Sequence, residues 1–338
     1  MNKKLKILGL SNPFSGCHYH RVTLPLAYME NIEGLVTDLP TEEKLSEDID
    51  ILTFNRLTPV QEKFPELAKR IKLVMDLDDD WILPPSHLNY NSYAENRINI
   101  EKNIAISHLI TCTNEKLAER IYPINKNVHV LPNALPYGID QFTEEKTQDD
   151  KLRIFWAGGL SHIKDIEILK QPFRRLHSYK DRIKMVMAGF RQDDPGTLAV
   201  WDKMYSCFTD GQRLPAIRLE GLPTRHYMAL YQFADIMVVP LEQSEWHACK
   251  SNLKLLEAAA KKVPVICQNV EPYSRDPEAP VLWVNSQKDW FEHLKYLILN
   301  ENARKEYGEK LNTWAKEKYN FTDINRKRRE LFASVCGA

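Results

Sequence analysis

The stretch VVPLEQSEWHACKSNLKLLEAAAKKVPVICQ, residues 238–268, holds an apolar run, a polar loop, a helix-forming segment and a second apolar run, in that order. Strand, loop, helix, strand is the repeating unit of a parallel sheet, whose strands are apolar throughout because helices cover both faces. The alternation extends in both directions. KILGL, DILTF, KLVMDL, HLITCT and VHVLP read as strands in the first half, and LRIFWAG, KMVMAGF, AIRLEG, DIMVVP and VPVICQ in the second, with helical patterns between them. The piece that separates the halves, YGIDQFTEEKTQDDK (137–151), is polar, acidic and without periodicity, and reads as a linker.

A chain of 338 residues exceeds the size at which one core keeps growing, so two domains of roughly 150 residues each are expected. We place a first doubly wound α/β domain over 1–148 and a second over 149–318. The tail ENARKEYGEKLNTWAKEKYNFTDINRKRRELFASV reads as two helices interrupted near Asn320 to Thr322, with Thr322 or Asp323 available as a cap. The last helix, 319–338, is expected to lean back on the first domain.

Lys plus Arg equals Asp plus Glu at 46 each, so no overall field recruits nucleic acid or an anionic membrane. The six cysteines are scattered, with no C-x-x-C pair and no histidine at zinc-ligand spacing, which reads as free thiols in a reducing cytoplasm. The opening MNKKLKILGLSNPF carries an apolar run too short for a signal peptide, and no stretch approaches the roughly 18 apolar residues of a spanning helix. A cytoplasmic protein without stable membrane insertion is expected.

In an open α/β sheet, ligands gather outside the carboxyl ends of the strands. GLSNPFSGCHYHRVTLPL (9–26) brings Gly16, His18, His20 and Arg21 there, where a glycine admits close approach of a ligand to the backbone. FWAGGLSHIKDIEIL (155–169) places Gly158 and Gly159 before His162, Lys164 and Asp165; a flexible ammonium beside exposed amides suits a diphosphate, and a solvated helix face is the competing reading of Lys164. In the opening stretch, Ser251 and Asn252 are good N-cap residues, and Glu257 either holds a pair of sugar hydroxyls or pairs with Lys254 or Lys261. KLVMDLDDDWILPP (72–85) ends an apolar strand in Asp76, Asp78, Asp79 and Asp80, which form a divalent metal site, line an open cleft, or begin a loop. No G-x-G-x-x-G follows a strand, which disfavours a nicotinamide dehydrogenase.

The order SGCHYHRVTLP, TCTNEKLAERI, VHVLPNALPYGID, FWAGGLSHIKD, KSNLKLLEAAAKKVPVIC resembles the large retaining (group 1 type) family of GT-B glycosyltransferases, most specifically in VLPNALPYGID and KLLEAAAKKVPVI. The resemblance implies two Rossmann-like domains facing across a cleft, the second binding a nucleotide-sugar donor, with a UDP-sugar favoured. Lys164 resembles the family lysine on the donor diphosphate, and Glu257 the glutamate on the donor ribose. Gly158, His162, Lys250, Ser251, Asn252 and Lys254 complete the expected donor set with Gly16 and Gly159. Gly159 stands where the family commonly has an arginine, and Cys249 where it commonly has a glutamate; Lys250, Lys254 and His162 are candidates to replace the lost charge.

The family works without a metal ion and without a permanently bound cofactor, the nucleotide sugar being a co-substrate. Asp78 to Asp80 are therefore read as acceptor-side or sugar-side residues. Acceptor deprotonation is assigned among Asp78, Asp79, His18, His20 and the leaving phosphate oxygen. The chain also resembles glycosyltransferases expected in bacteriophages and bacterial surface-sugar clusters, which sets two acceptors side by side: a hydroxymethylated pyrimidine in DNA, approached through RKRRE (326–330) or Arg174 and Arg175, and a surface glycan. A hexosyl- or pentosyltransferase is expected, and a non-catalytic nucleotide- or sugar-binding protein on the same fold is the rival.

Overall fold

The computed structural model describes residues 4–38, 40–46, 48–192 and 195–337. Unit 1 takes the chain through Ala134, residues Cys249–Ser251, and the chain from Phe321; unit 2 takes Leu135–Ala248 and Asn252–Asn320.

Unit 1 is built on β1 (Leu5–Leu10), β2 (Ile32–Thr37), β3 (Ile51–Asn55), β4 (Lys72–Leu77), β5 (Leu109–Cys112) and β6 (Val128–Val130), all parallel, in the order β2-β1-β3-β4-β5-β6. Side chains alternate between two apolar layers, as the period of two in a strand requires. Leu8, Leu10, Leu52, Phe54, Leu73, Met75, Leu77 and Ile110 face Phe64, Ile100, Ile104 and Leu117. Ile7, Ile51, Val74 and Leu109 face Val22, Leu26 and Phe332.

Phe332 lies on the helix Phe321–Cys336, which is tied into unit 1 by Asn325 Nδ2 donating to Pro25 O at 2.9 Å and by the Tyr28 and Phe321 rings, 5.7 Å apart edge to face.

Unit 2 is built on β7 (Leu152–Ala157), β8 (Ile183–Phe190), β9 (Ala216–Glu220), β10 (Ile236–Val239), β11 (Val265–Gln268) and β12 (Leu282–Val284), again all parallel, in the order β12-β11-β10-β7-β8-β9. Its main core joins Ile154, Trp156, Met185, Met187, Ile236, Val238 and Ile266 to Phe173, Phe208, Trp290 and Leu294. The helix Glu301–Lys318 packs so closely that a Cβ on Gly308 would stand 2.1 Å from Lys262 O.

All ten strands read from the sequence are present, and two more, β2 and β12, were not foreseen. Both are edge strands. An edge strand has one neighbour and often a solvated face, so it needs no continuous apolar run; β2, with sequence IEGLVT, is largely exposed, and β12 is short.

The segment 137–151, expected as a linker with a boundary near 148, is instead held to unit 2, and the division falls between Ala134 and Leu135. Tyr137 donates to Leu256 O at 3.2 Å, Gln141 Nε2 to Thr224 O at 3.0 Å, and Thr147 N and Oγ1 both to Gln232 O. Polar composition without periodicity reflects a segment that binds through side-chain and backbone hydrogen bonds rather than through an apolar face.

Candidate functional sites

Each sheet has one point where the strand order reverses, between β1 and β3 in unit 1 and between β7 and β10 in unit 2. Crevices at such points are where open α/β sheets bind ligands. The loops that follow these strands are those that begin at Ser11, Arg56, Gly158 and Pro240.

In unit 1 the four carboxylates of the DLDDD run go to four different partners. The alternation of β4 turns Asp76 to the layer of Val74, where it is buried. There Arg21 Nε and Nη2 donate to its two oxygens at 2.7 and 2.9 Å, and Thr111 Oγ1 donates at 2.5 Å. Arg21 Nη1 reaches Asn133 Oδ1 at 2.9 Å. This bidentate, fully desolvated pair is structural. Asp78 lies 3.7 Å from Arg56 Nη2 and accepts from Asn55 Nδ2 at 3.2 Å. Burial alone would raise its carboxyl, but the Arg56 guanidinium and hydrogen bonds from Cys17 and Asn55 outweigh burial and hold it below its ordinary value. Asp79 lies 3.2 Å from Lys250 Nζ. Asp80 is buried, with Arg120 Nε at 2.9 Å and Ile82 N at 3.0 Å, the second bond opening the loop that follows.

Cys17, Asp78 and Asp79 offer ligand atoms within 4.8 Å of one another, a spacing a metal ion accepts. Arg56 and Lys250 already place positive charge on both carboxylates, so a divalent cation there would meet two like charges. The sequence did not point to Arg56 as the centre of this cluster. Its backbone is left-handed at φ 51°, and Arg56 Nη1 donates to the Tyr93 hydroxyl at 2.5 Å. Left-handed backbone at a non-glycine residue beside a polar cluster marks a position held by its surroundings.

The two histidines differ from their expected role as bases. His20 lies in a π-helical turn, Tyr19–Thr23, and is buried; burial drives its imidazole down to about 3, with Asp78 opposing and Arg21 adding to the effect. His18 is half-buried and lowered by burial and by Arg56, and its Nδ1 accepts the Asn12 amide at 3.1 Å. In the neutral ring the proton then sits on Nε2. Gly16 is exposed, and a Cβ there would meet nothing within 4 Å.

In unit 2, Gly158 N donates to Ala188 O at 3.2 Å, so that amide is occupied, whereas Gly159 is exposed and its amide makes no hydrogen bond among the described residues. The turn is tight: Gly189, at φ +100°, would place a Cβ 2.4 Å from Gly158 O. His162 Nδ1 is 2.7 Å from the buried Asp165, whose other oxygen accepts Glu242 N at 2.7 Å and so ties this turn to the loop after β10. Lys164 is exposed and makes no hydrogen bond or ion pair among the described residues.

The helix that carries Glu257 runs over Leu253–Ala260. Asn252 is the cap by position, but its side chain donates to Asp276 Oδ2 at 2.6 Å instead of capping. Ser251 accepts from Asn133 Nδ2 at 2.9 Å, and Ser251 and Lys250, like Gly16, belong to unit 1, whereas the other residues of the expected donor set belong to unit 2. Cys249 is fully buried in unit 1, its thiol 3.8 Å from Asp80 Oδ2.

Glu257 has Lys254 among the groups that act on its charge, together with two tyrosines. It is buried and accepts from the Tyr231 and Tyr227 hydroxyls, while Lys254 Nζ donates to Ala157 O and stands 5.9 Å from the Trp156 ring. Burial raises the Glu257 carboxyl, and Lys254 and the two tyrosines oppose that rise. These tyrosines were missed in the sequence because YMALYQF carries no polar pattern.

Residues 151–300 match the family model described as glycosyl transferases group 1. No curated protein matches. Among solved structures, sucrose-phosphate synthase from Thermosynechococcus elongatus superposes with a TM-score of 0.68 at 10% identity, covering 98% of this chain and 99% of that one. HepE of Anabaena in complex with UDP gives 0.61 at 14%, covering 98% and 100%. A mutant of S. aureus TarM in complex with fondaparinux, alpha-GlcNAc-glycerol and UDP gives 0.59 at 16%, covering 83% of this chain but only 55% of that one, so the chain spans about half the length of TarM. No helix among the described residues is long and apolar enough to cross a membrane. The chain thus has the two-domain α/β GT-B fold, and its residues 151–300 are similar to the group 1 glycosyl transferases.

Proposed function

We propose that this chain is a glycosyltransferase that moves a sugar from a nucleotide-sugar donor, a UDP-sugar by preference, to a hydroxyl of a glycan, without a metal ion and with retention at the anomeric carbon. The observation that carries the reading is the turn after β7, within the residues similar to the group 1 glycosyl transferases, where the exposed Lys164 ammonium follows the open Gly159 amide at the point where the strand order reverses. An ammonium and an amide without internal partners suit the diphosphate that accumulates charge as the sugar leaves. UDP in the HepE and TarM complexes supports the choice of nucleotide.

On this reading Glu257 takes the donor ribose, and unit 1 serves the acceptor. His20 is neutral and buried, His18 has its acceptor nitrogen occupied, and Asp78 is a weak base. The acceptor proton therefore passes to the departing diphosphate oxygen, and Asp79 binds acceptor hydroxyls. A glycan is preferred to DNA because four of the arginines expected to meet phosphates are paired or buried within the chain. Arg326 pairs with Asp323 and Glu330, Arg174 lies 3.6 Å from Asp210, Arg175 lies 3.7 Å from Glu292, and Arg328 is buried.

The test is a mass-spectrometric transfer assay with UDP-, GDP- and ADP-sugars, offered oligosaccharides and, separately, duplex DNA with hydroxymethylated pyrimidines. An oligosaccharide heavier by one sugar supports the reading. A heavier nucleoside moves the acceptor to DNA, and nucleotide binding without turnover on any acceptor favours a binding protein.

A further inference from the structure

We infer that Tyr231 and Tyr227 are positioning residues that aim the Glu257 carboxylate at the vicinal diol of the donor nucleotide. The inference rests on the donor-site reading above and adds the part of the molecule that makes Glu257 usable.

A carboxylate offers about four lone-pair sites. In unit 2 the hydroxyls of Tyr231, on Oε2, and Tyr227 take two of them. Two hydroxyls from one pinned segment fix the plane of the carboxylate, and that fixed plane is what a vicinal diol meets with its two O–H groups. The tyrosines are held firmly. Tyr231 is buried against Phe155, ring centroids 4.9 Å apart, and its ring stands perpendicular to that of Tyr227 at 6.2 Å. The segment Tyr227–Phe233 is pinned from both ends by residues 137–147: Gln141 Oε1 accepts Met228 N at 3.1 Å, and Thr147 reaches Gln232 O at 3.0 Å. Tyr137 fixes the helix of Glu257 itself through Leu256 O.

After Lys254, the tyrosines also favour the charged form of Glu257. The groups that face it are Lys254 on its own helix, Tyr227 and Tyr231 from the pinned segment, Tyr137, and Tyr273 from the turn Tyr273–Arg275. Burial favours the protonated acid, which would accept one hydrogen bond fewer from a diol; the two hydroxyls and Lys254 favour the carboxylate. Removal of one hydroxyl therefore acts twice, by loosening the carboxylate and by allowing it to protonate at a higher pH.

The experiment measures by calorimetry, from pH 5 to 9, the binding of whichever of UDP, GDP and ADP the intact chain holds best, and of the deoxyribo analogue of that nucleotide. Tyr231→Phe is expected to weaken the ribonucleotide roughly tenfold, the change that fits loss of a hydrogen bond to a charged group. It should also move the fall in affinity to higher pH and shrink the preference for ribose over deoxyribose. Tyr227→Phe, at a half-buried position, gives the same changes in smaller measure and serves if Tyr231→Phe lowers the folded yield. If Glu257→Gln loses affinity while both tyrosine variants keep the native preference and pH profile, the tyrosines only pack and the inference is overturned. If Glu257→Gln also binds as the native chain does, or no nucleotide binds at all, the donor-site reading falls and takes the inference with it.

Discussion

The two units share one architecture and differ in how they treat charge at the carboxyl ends of their strands. In unit 1, every carboxylate of the DLDDD run has a cation of its own: Arg21, Arg56, Lys250 and Arg120. In unit 2, the buried Glu257 accepts from two tyrosine hydroxyls with Lys254 acting on it from its own helix, and Lys164 stands exposed with no partner among the described residues. A cation already neutralised within its own unit has little left to offer an anionic ligand, whereas a solvated ammonium beside an open amide has. On the proposed function, this difference is the reason to place the diphosphate at unit 2 and an uncharged, hydroxyl-bearing acceptor at unit 1.

The largest effect that tests the contrast falls on stability in unit 1. Asp76→Ala strands the Arg21 guanidinium in the layer of Val22 and Leu26 without a counter-charge, beside the buried Arg328. A loss of about 3–5 kcal/mol is expected from breaking one side of a buried pair, measured by urea unfolding. A loss below ~1 kcal/mol would place the Arg21–Asp76 pair among solvated ones and undo the claim that this end of unit 1 is internally closed.

Lys164→Ala is the complementary test. Transfer should fall by about 10²–10³ in kcat, the range for removal of one preorganised donor from a developing anion. Stability should change by less than about 0.5 kcal/mol, as for an exposed side chain without partners. An unchanged rate in a folded variant would return Lys164 to a solvated helix face.

His20 gives unit 1 a pH dependence. Its folded value, about 3, lies below the ordinary histidine value of 6.5, so the unfolded chain binds the extra proton. Stability is then fully present above pH 6.5 and falls as the pH drops from 6.5 toward 3, by on the order of a few kcal/mol. His20→Gln should flatten the part of the acid limb that belongs to this residue, read from unfolding midpoints between pH 7 and 4. An unchanged acid limb would mean that His20 is solvated.

Most of the fold was legible because interior parallel strands are apolar on both faces, and such runs stand out against any background. Strands β2 and β12 were not legible because an edge can be exposed or short. The positions of the candidate residues were legible where they follow a strand, as at Gly158, Gly159, Lys164 and Asp78, and their roles are those of the proposed function. It was not legible where a residue's role depends on a partner distant in sequence. Nothing near Asp76 in the chain marks Arg21 as its partner, and nothing near Glu257 marks Tyr231. Segment 137–151 was misread for the same reason, since its function as a clasp lies in bonds to residues 224–256.

The smallest effect concerns Asp79 and Lys250, which are neither closed nor open. Their side chains are 23% and 18% exposed, between the sealed Arg21–Asp76 pair and the solvated Lys164. A double-mutant cycle with Asp79→Asn and Lys250→Met should give a coupling of about 0.2–1 kcal/mol in stability, as for pairs that retain contact with water. A coupling that small leaves the carboxylate free to trade its ammonium contact for an acceptor hydroxyl, which the assignment of Asp79 to the acceptor requires. Asp79→Asn should then raise the KM for the acceptor while leaving the KM for the donor unchanged. A coupling of several kcal/mol would make the pair a second structural bridge like Arg21–Asp76, and the acceptor would have to be sought at Arg56 and Tyr93 instead.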